Sequence, residues 1–201
     1  MPKNKKRKPA ASLVQVLHLV QEHQVQTKIG AKMETVIQNK NCVLNQETIK
    51  RKIKRMALEV AERNTDEKDL VIAGINGNGE VLAEELAEEL AQLAMFNVSS
   101  ITVRLNKKDP AQVSLSSTAA CTGKVVVLVD DVANTGKTML YAMKPLLDLY
   151  PKTIQTLVLV ERSHKLFPVQ TDYAGLSIAT TLQEHITVET AAGQLTGAFL
   201  Y

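Results

Sequence analysis

Hydrophobic positions in this chain recur with two alternating periods, and the alternation predicts its elements. Ile49, Ile53, Met56, Ala57 and Val60 fall at helical spacing and predict an amphipathic helix over residues 47–63. Residues 69–75, DLVIAGI, form a short continuous apolar run, the pattern of a strand buried on both faces of a sheet. Helical spacing returns over 81–94, where Leu82, Leu86, Ala87, Leu90 and Leu93 share one face and Glu84, Glu85, Glu88 and Glu89 are expected in water. Strands are predicted at 99–105, 125–129 and 154–160, and a helix at 138–149. Residues 106–123 are polar and lack helical periodicity, a connection long enough to be functional or flexible. The order implies an α/β fold, a mainly parallel twisted sheet flanked by helices. The short strand-like pieces of 172–201 are expected to cap the site as a small C-terminal hood.

Composition and charge refine this picture. The chain has 201 residues, 45% of them hydrophobic, which is ample for one core. No apolar run approaches the roughly 20 residues of a membrane span, and glutamines and histidines interrupt any secretory h-region near the start. Cys42 and Cys121 lie far apart without a CxxC pair, which fits a reducing cytoplasm and speaks against a disulfide framework or zinc site. Residues 1–40 carry eight cations against two acids, a balance of +6; with an overall charge of +3, the remainder stands at −3. Residues 1–40 therefore read as a basic extension, disordered over its lysine cluster, with Leu13, Val16, Leu17 and Val20 at the spacing of a short helix, and 41–201 as the main domain. Lys50, Arg51, Lys52, Lys54 and Arg55 form a candidate RNA-binding patch, or simply the solvated face of the first helix.

The chemistry concentrates in residues 124–138, KVVVLVDDVANTGKT. A buried strand ending in Asp130 and Asp131 places two carboxylates at its carboxyl end, the edge where open α/β sheets bind ligands. Amides of the following turn, at the start of a helix, are suited to a phosphate, while the carboxylates accept from vicinal hydroxyls. A hydroxylated sugar phosphate is the ligand class that unites them. Two commoner nucleotide motifs do not fit. A P-loop ending at Gly136, Lys137 and Thr138 needs glycine at 131, where Asp131 stands. A Rossmann fingerprint starting at Gly74 meets Asn76, and one starting at Gly77 meets Leu82.

The segment resembles the 5-phosphoribosyl-1-pyrophosphate (PRPP) motif of type I phosphoribosyltransferases: an apolar strand, an acidic pair, then Thr135-Gly136-Lys137-Thr138. The resemblance covers roughly residues 41–201 and extends to VLNQETIKRKIKRMALEVAERN, DLVIAGINGNG and LVLVERSHKLFPVQTDYAGLSIATT. The last of these is similar to the pyrimidine-operon attenuator and uracil phosphoribosyltransferase group. The resemblance implies the type I phosphoribosyltransferase fold and transfer of the phosphoribosyl group from PRPP to a nucleobase, uracil in that group, with Mg²⁺ as cofactor. A PRPP- or nucleotide-sensing regulator, RNA-binding or noncatalytic, is the alternative. A homodimer or higher homo-oligomer is also implied.

The same resemblance assigns roles. Asp130 and Asp131 would hold the ribose hydroxyls and metal, and Val132, Ala133, Asn134, Thr135, Gly136, Lys137 and Thr138 the PRPP 5-phosphate, with Val132 near the ring. Asn76, Gly77, Asn78 and Gly79 occupy the place of the pyrophosphate loop, where the attenuator group usually carries a threonine-arginine-glycine triplet; this chain has no cation there. Lys107, or Lys108 beside it, is the candidate to compensate. Arg162, Tyr173, Ala174 and Gly175 are assigned to the base, with His164 nearby.

Overall fold

The computed structural model describes residues 40–118, 121–163, 165–181 and 184–201. The expectations for the basic extension and its short helix, and for His164, fall on residues outside these. Among the described residues, β1 (Asn41–Asn45) leads into helix α1 (Gln46–Arg63), whose first turn is capped by Asn45: its side-chain oxygen accepts from the Thr48 amide at 2.9 Å. Then follow β2 (Asp69–Ile75), α2 (Asn78–Gln92), β3 (Asn97–Leu105), β4 (Val113–Leu115), β5 (Val125–Ala133), α3 (Lys137–Leu147), β6 (Thr153–Arg162), β7 (Tyr173–Ile178), β8 (Ile186–Ala191) and β9 (Gln194–Leu200).

A six-stranded sheet runs in the order β4-β3-β2-β5-β6-β7. It is parallel throughout except for β4, which is antiparallel to β3. Its central strands alternate apolar residues onto two faces. Leu70 and Ile72 of β2, with Val125, Val127 and Val129 of β5, meet α1 and α2 in one core. Val71, Ala73, Ile75, Val126 and Leu128 meet Met139, Ala142 and Leu146 of α3 in the other. Each strand of this kind needs both faces covered, which explains runs with no polar alternation.

The connections fix where a ligand can bind. The chain leaves β2 through α2 on one face to reach β3, and leaves β5 through α3 on the opposite face to reach β6. The carboxyl ends of β2 and β5 therefore flank the point where strand order reverses, the natural crevice of such sheets. β8, β9 and β1 form a separate three-stranded antiparallel sheet.

Several expected boundaries move, each for a local reason. The 106–123 connection contains β4, which extends the edge of the sheet. β5 continues through both aspartates to Ala133 because β6 keeps pairing with it beyond the last β2 partner, Val129. Helix α2 starts at Asn78 rather than 81, because Gly77 at φ 93° turns the chain directly into it. Glu85, expected in water, is half-buried; it accepts from the Leu195 amide at 3.0 Å, and burial pushes its carboxyl up. The last thirty residues divide: β7 completes the main sheet, and the hood is β8 and β9 with β1 added from the other end of the domain.

At Gly175 β7 leaves no room for a side chain beside β6: a Cβ there would lie 2.5 Å from the Leu159 carbonyl oxygen. Gly175→Ala is expected to destabilise the fold by about 1–3 kcal/mol, as overpacking against backbone does. Urea unfolding measures it, and an unchanged midpoint would contradict the close approach.

Candidate functional site

At the carboxyl end of β5, Asp130 and Asp131 are 3% and 9% exposed, a costly place for two carboxylates. Their polar environment is supplied from three elements. Lys107, in the loop after β3, donates to Asp130 Oδ1 at 2.8 Å and to Asp131 Oδ1 at 3.3 Å. Asn78, the first residue of α2, donates through Nδ2 to Asp131 Oδ2 at 3.0 Å and to the Val188 carbonyl of β8 at 2.8 Å. The Asp131 amide donates to Asp130 Oδ1 at 3.0 Å. Gly79 lets α2 come this close, since a Cβ there would lie 3.0 Å from both Asp130 Oδ1 and the Val129 carbonyl.

The two carboxyls are driven apart electrostatically. Burial first, then the neighbouring Asp131 charge, pushes Asp130 up to about 7 despite Lys107. Burial also opposes ionisation of Asp131, but Lys107 and the bonds from Asp130 and Asn78 outweigh it and hold its carboxyl below the usual range. Burial pulls Lys107 down, and the two carboxylates more than offset this, keeping its ammonium above the ordinary lysine value. The site thus contains one carboxyl that readily holds a proton and one that does not.

Beside the pair lies a cleft of about 190 Å³ lined by Lys107, Asp130, Val132, Ala133, Asn134, Thr135, Gly136, Thr138 and Met139. Gly136, at φ 81° in the left-handed region, is the N-cap of α3 and supplies no capping side chain. The Lys137 amide reaches Thr135 Oγ1 at 3.3 Å, and the other first-turn amides, those of Thr138 and Met139, belong to residues on the cleft wall. The Thr135 carbonyl accepts from the amides of Leu166 and Phe167, both at 3.0 Å, so the loop after β6 props the turn from behind.

The predicted pyrophosphate loop lies across the crevice. Asn76 is committed to β3: its amide donates to the Val103 carbonyl at 2.9 Å, and its Oδ1 accepts from the Leu105 amide at 3.0 Å. Helix α2 then begins behind Gly77, again without a side-chain cap. Two uncapped helix N-termini, those of α2 and α3, therefore border the acidic pair, each with the partial positive charge of a helix start.

The residues assigned to the base separate into two places. Arg162, at the end of β6, donates through Nη1 to Asn134 Oδ1 at 2.6 Å and through Nη2 to the Thr181 carbonyl at 2.8 Å. It joins the phosphate turn to the segment after β7. Buried beside these contacts, Arg162 Nε and Thr180 Oγ1 have no hydrogen-bond partner. Tyr173, Ala174 and Gly175 are not brought to Arg162. Tyr173 pairs in register with Leu157 and Ile178 with Arg162, so Tyr173 starts five residues back along the strand, roughly 16 Å at about 3.3 Å per residue. Its ring is buried and its hydroxyl donates to Gln155 Oε1 at 2.9 Å, in a network that includes Asn64. The Ala174 carbonyl accepts from Arg55 at 2.7 Å, and Gly175 is needed for strand packing. These three make strand and packing contacts away from Arg162, and of the predicted region it is the end at Thr180, with Thr181 beyond it, that stands near Arg162.

Glu161 escaped the sequence reading altogether. It accepts from Lys165, from Thr171 Oγ1 at 2.5 Å and from Ser177 Oγ at 2.9 Å. Burial raises its carboxyl, but these three donors prevail and hold it below the usual range. It braces the loop that props the phosphate turn. Only its position one residue before Arg162, where a strand should end, could have marked it.

Two carboxylates at one point form an all-oxygen donor set of the kind a hard divalent cation takes. Among the described residues no third acidic, histidine or cysteine side chain joins them, which leaves further coordination positions to substrate oxygens and water.

A parallel sheet with an acidic pair and a glycine-started helix at its switch point is the arrangement expected of a phosphoribosyltransferase, and the chain belongs to that family: residues 38–192 match the model of the phosphoribosyl transferase domain. It is similar to the bifunctional protein pyrR of Enterococcus faecalis, 39% identical over 156 residues, 73% of this chain and 88% of that protein. The bifunctional protein PyrR of Bacillus cereus is 34% identical over 165 residues, 76% of this chain and 92% of the relative. These relatives agree with the resemblance to the pyrimidine attenuator and uracil phosphoribosyltransferase group. In fold the chain also resembles the hypoxanthine phosphoribosyltransferase of Trypanosoma cruzi, with a TM-score of 0.62 at 18% identity over 69% of this chain and 82% of that one.

An acid whose folded pKa is raised costs stability as pH climbs from its unfolded value toward the folded one. Asp130→Asn should therefore gain melting temperature relative to the parent between about pH 5 and about pH 8, by several degrees. Thermal melts at both pH values test this, and a difference that does not vary with pH would refute the raised carboxyl.

Proposed function

We propose that this phosphoribosyltransferase carries the 5-phosphoribosyl group of PRPP to a pyrimidine base, uracil, with release of pyrophosphate. The observation that carries the reading is the meeting of three features at the switch point: the buried acidic pair, the uncapped turn of α3 and the uncapped start of α2. The turn at Asn134 to Thr138 receives the 5-phosphate on its amides. Asp130 and Asp131 accept from the ribose hydroxyls. The amides of Asn78 and Gly79, at the positive end of α2, face the leaving group. Bound Mg²⁺ would lie against Asp130 and Asp131 and neutralise charge on the pyrophosphate. The protein's own share of catalysis is to orient the sugar and to stabilise charge that develops at the anomeric carbon as the bond to pyrophosphate lengthens.

Base selection falls to the Arg162 neighbourhood. The Arg162 guanidinium joins the turn at Asn134 to the segment after β7 at Thr181, the two sides between which the base would lie. The choice of uracil over other bases rests on the similarity to the PyrR proteins.

A second reading, a nucleotide-responsive RNA regulator, is favoured by the word bifunctional in the relatives' names and by exposed Lys50, Arg51 and Lys54 on α1. Against it, Arg55 is occupied by Glu59 and the Ala174 carbonyl, and Arg51 lies beside Glu47. No helix among the described residues is long and apolar enough to cross a membrane; a cytoplasmic homo-oligomer is proposed on the similarity to the PyrR proteins alone.

Turnover with PRPP and Mg²⁺ across a panel of bases should show uracil preferred, and Asp131→Asn should lower kcat/KM by about 100-fold or more. An unchanged rate in that variant would remove the acidic pair from the mechanism. Arg162→Ala should raise the KM for the base about tenfold with little change in the KM for PRPP. For the regulatory reading, a gel-shift titration must show RNA binding that weakens steeply with salt.

A further inference from the structure

The acidic pair has a resident cation, and its position raises the question of where that charge goes when the site fills. Lys107 Nζ bonds both carboxylates, and among the described residues it is the cation that pairs with them. It therefore lies against the same oxygens that a divalent metal would take. Its side chain is 41% exposed although its target is buried. The residues around it, Asn106, Lys108 and Asp109, are exposed, in a loop between β3 and the short edge strand β4. Such a segment moves more easily than the strands and helix starts it serves.

The anion-binding side of the crevice has the opposite character. The turn at 76–79 contains no cationic side chain, and both of its asparagines are committed, Asn76 to β3 and Asn78 to Asp131 and β8. Backbone amides and a helix start supply oriented dipoles but no full charge, whereas pyrophosphate carries several negative charges. The site thus holds a loop-borne cation on the acidic side and none in the turn at 76–79.

We infer that Lys107 is an exchangeable counter-ion: it pairs with Asp130 and Asp131 in the empty site, yields them to a divalent cation, and turns its ammonium to the pyrophosphate of PRPP. The exchange makes and breaks hydrogen bonds and ion pairs only. It conserves charge in a sensible way, because the carboxylates are never buried without a cation and the phosphates never arrive without one. The inference rests on the PRPP reading above and adds a binding order: metal and pyrophosphate should each favour the other, because each takes a partner that Lys107 must release or gain.

The test uses the full chain with Mn²⁺ and inorganic pyrophosphate as probes, followed by spin resonance and calorimetry. In Lys107→Met, Mn²⁺ alone should bind about tenfold more tightly than in the parent, because no ammonium has to be displaced. Pyrophosphate in the presence of Mg²⁺ should bind about tenfold or more weakly. Lys107→Gln, which keeps a donor for the carboxylates without the charge, guards against a folding defect and should lose pyrophosphate affinity likewise. Lys107→Arg should keep most of it. Mn²⁺ affinity unchanged or weakened in Lys107→Met, or pyrophosphate affinity unchanged in both neutral variants, overturns the exchange. If the parent binds PRPP while those results appear, the exchange alone fails; if the parent binds neither PRPP nor pyrophosphate, the PRPP reading falls with it.

Discussion

Two carboxylates buried side by side at the end of a central strand are the constraint around which this domain is arranged. Left alone they would be too costly to ionise, so everything near them contributes a donor or a positive end. Lys107 comes from the loop after β3, Asn78 from the start of α2, and burial pushes the Asp130 carboxyl up to about 7. The strand order makes this convergence possible. Only where the chain departs to opposite faces from adjacent strands do two helix starts and two loops open onto one crevice. The acidic pair and the anion-binding amides are thus consequences of one topological fact.

Glycines make the same geometry sterically possible, each in a different way. Gly77 and Gly136 take positive φ and start α2 and α3 as N-cap residues with no side chain of their own, Thr135 Oγ1 reaching only the Lys137 amide. Gly79 lets helix backbone pass close to Asp130 and the Val129 carbonyl. A serine or asparagine at either helix start would be strained at these positive φ values, and its side chain would occupy the amides that a phosphate needs. The absent caps are a stability cost at the site where ligand contacts can offset it.

Much of this was legible in the sequence because it depends on local pattern. The stripe of α1 from Ile49 to Val60, the buried run of β2 and the acidic pair followed by Thr135-Gly136-Lys137-Thr138 state their own periods and chemistry. What was not legible depends on register and on distant partners. That Tyr173 begins β7 opposite Leu157, too far back to reach Arg162, is decided by strand pairing, which no spacing along the chain encodes. The withdrawal of Glu85 from water follows from β9 arriving over α2, a contact between residues 110 positions apart. Likewise β1 reads as a plain run before a helix, and only its pairing with β9 makes it part of the hood.

The turn at 76–79 shows how a change in side-chain type redistributes work inside a site. An arginine there would bring charge to the leaving group; the two asparagines bring uncharged bonds to the surrounding strands instead. Asn76 extends the bonding of β3, and Asn78 holds Asp131 to the hood through Val188. The loop becomes a joint between the acidic pair, the main sheet and the small sheet, and its amides are held in place before any ligand arrives. Such preorganisation favours a transition state because no backbone has to reorder as charge develops. Rigid elements of this site therefore supply geometry, and the full positive charge beside the acidic pair is brought by Lys107, which reaches both aspartates from an exposed loop.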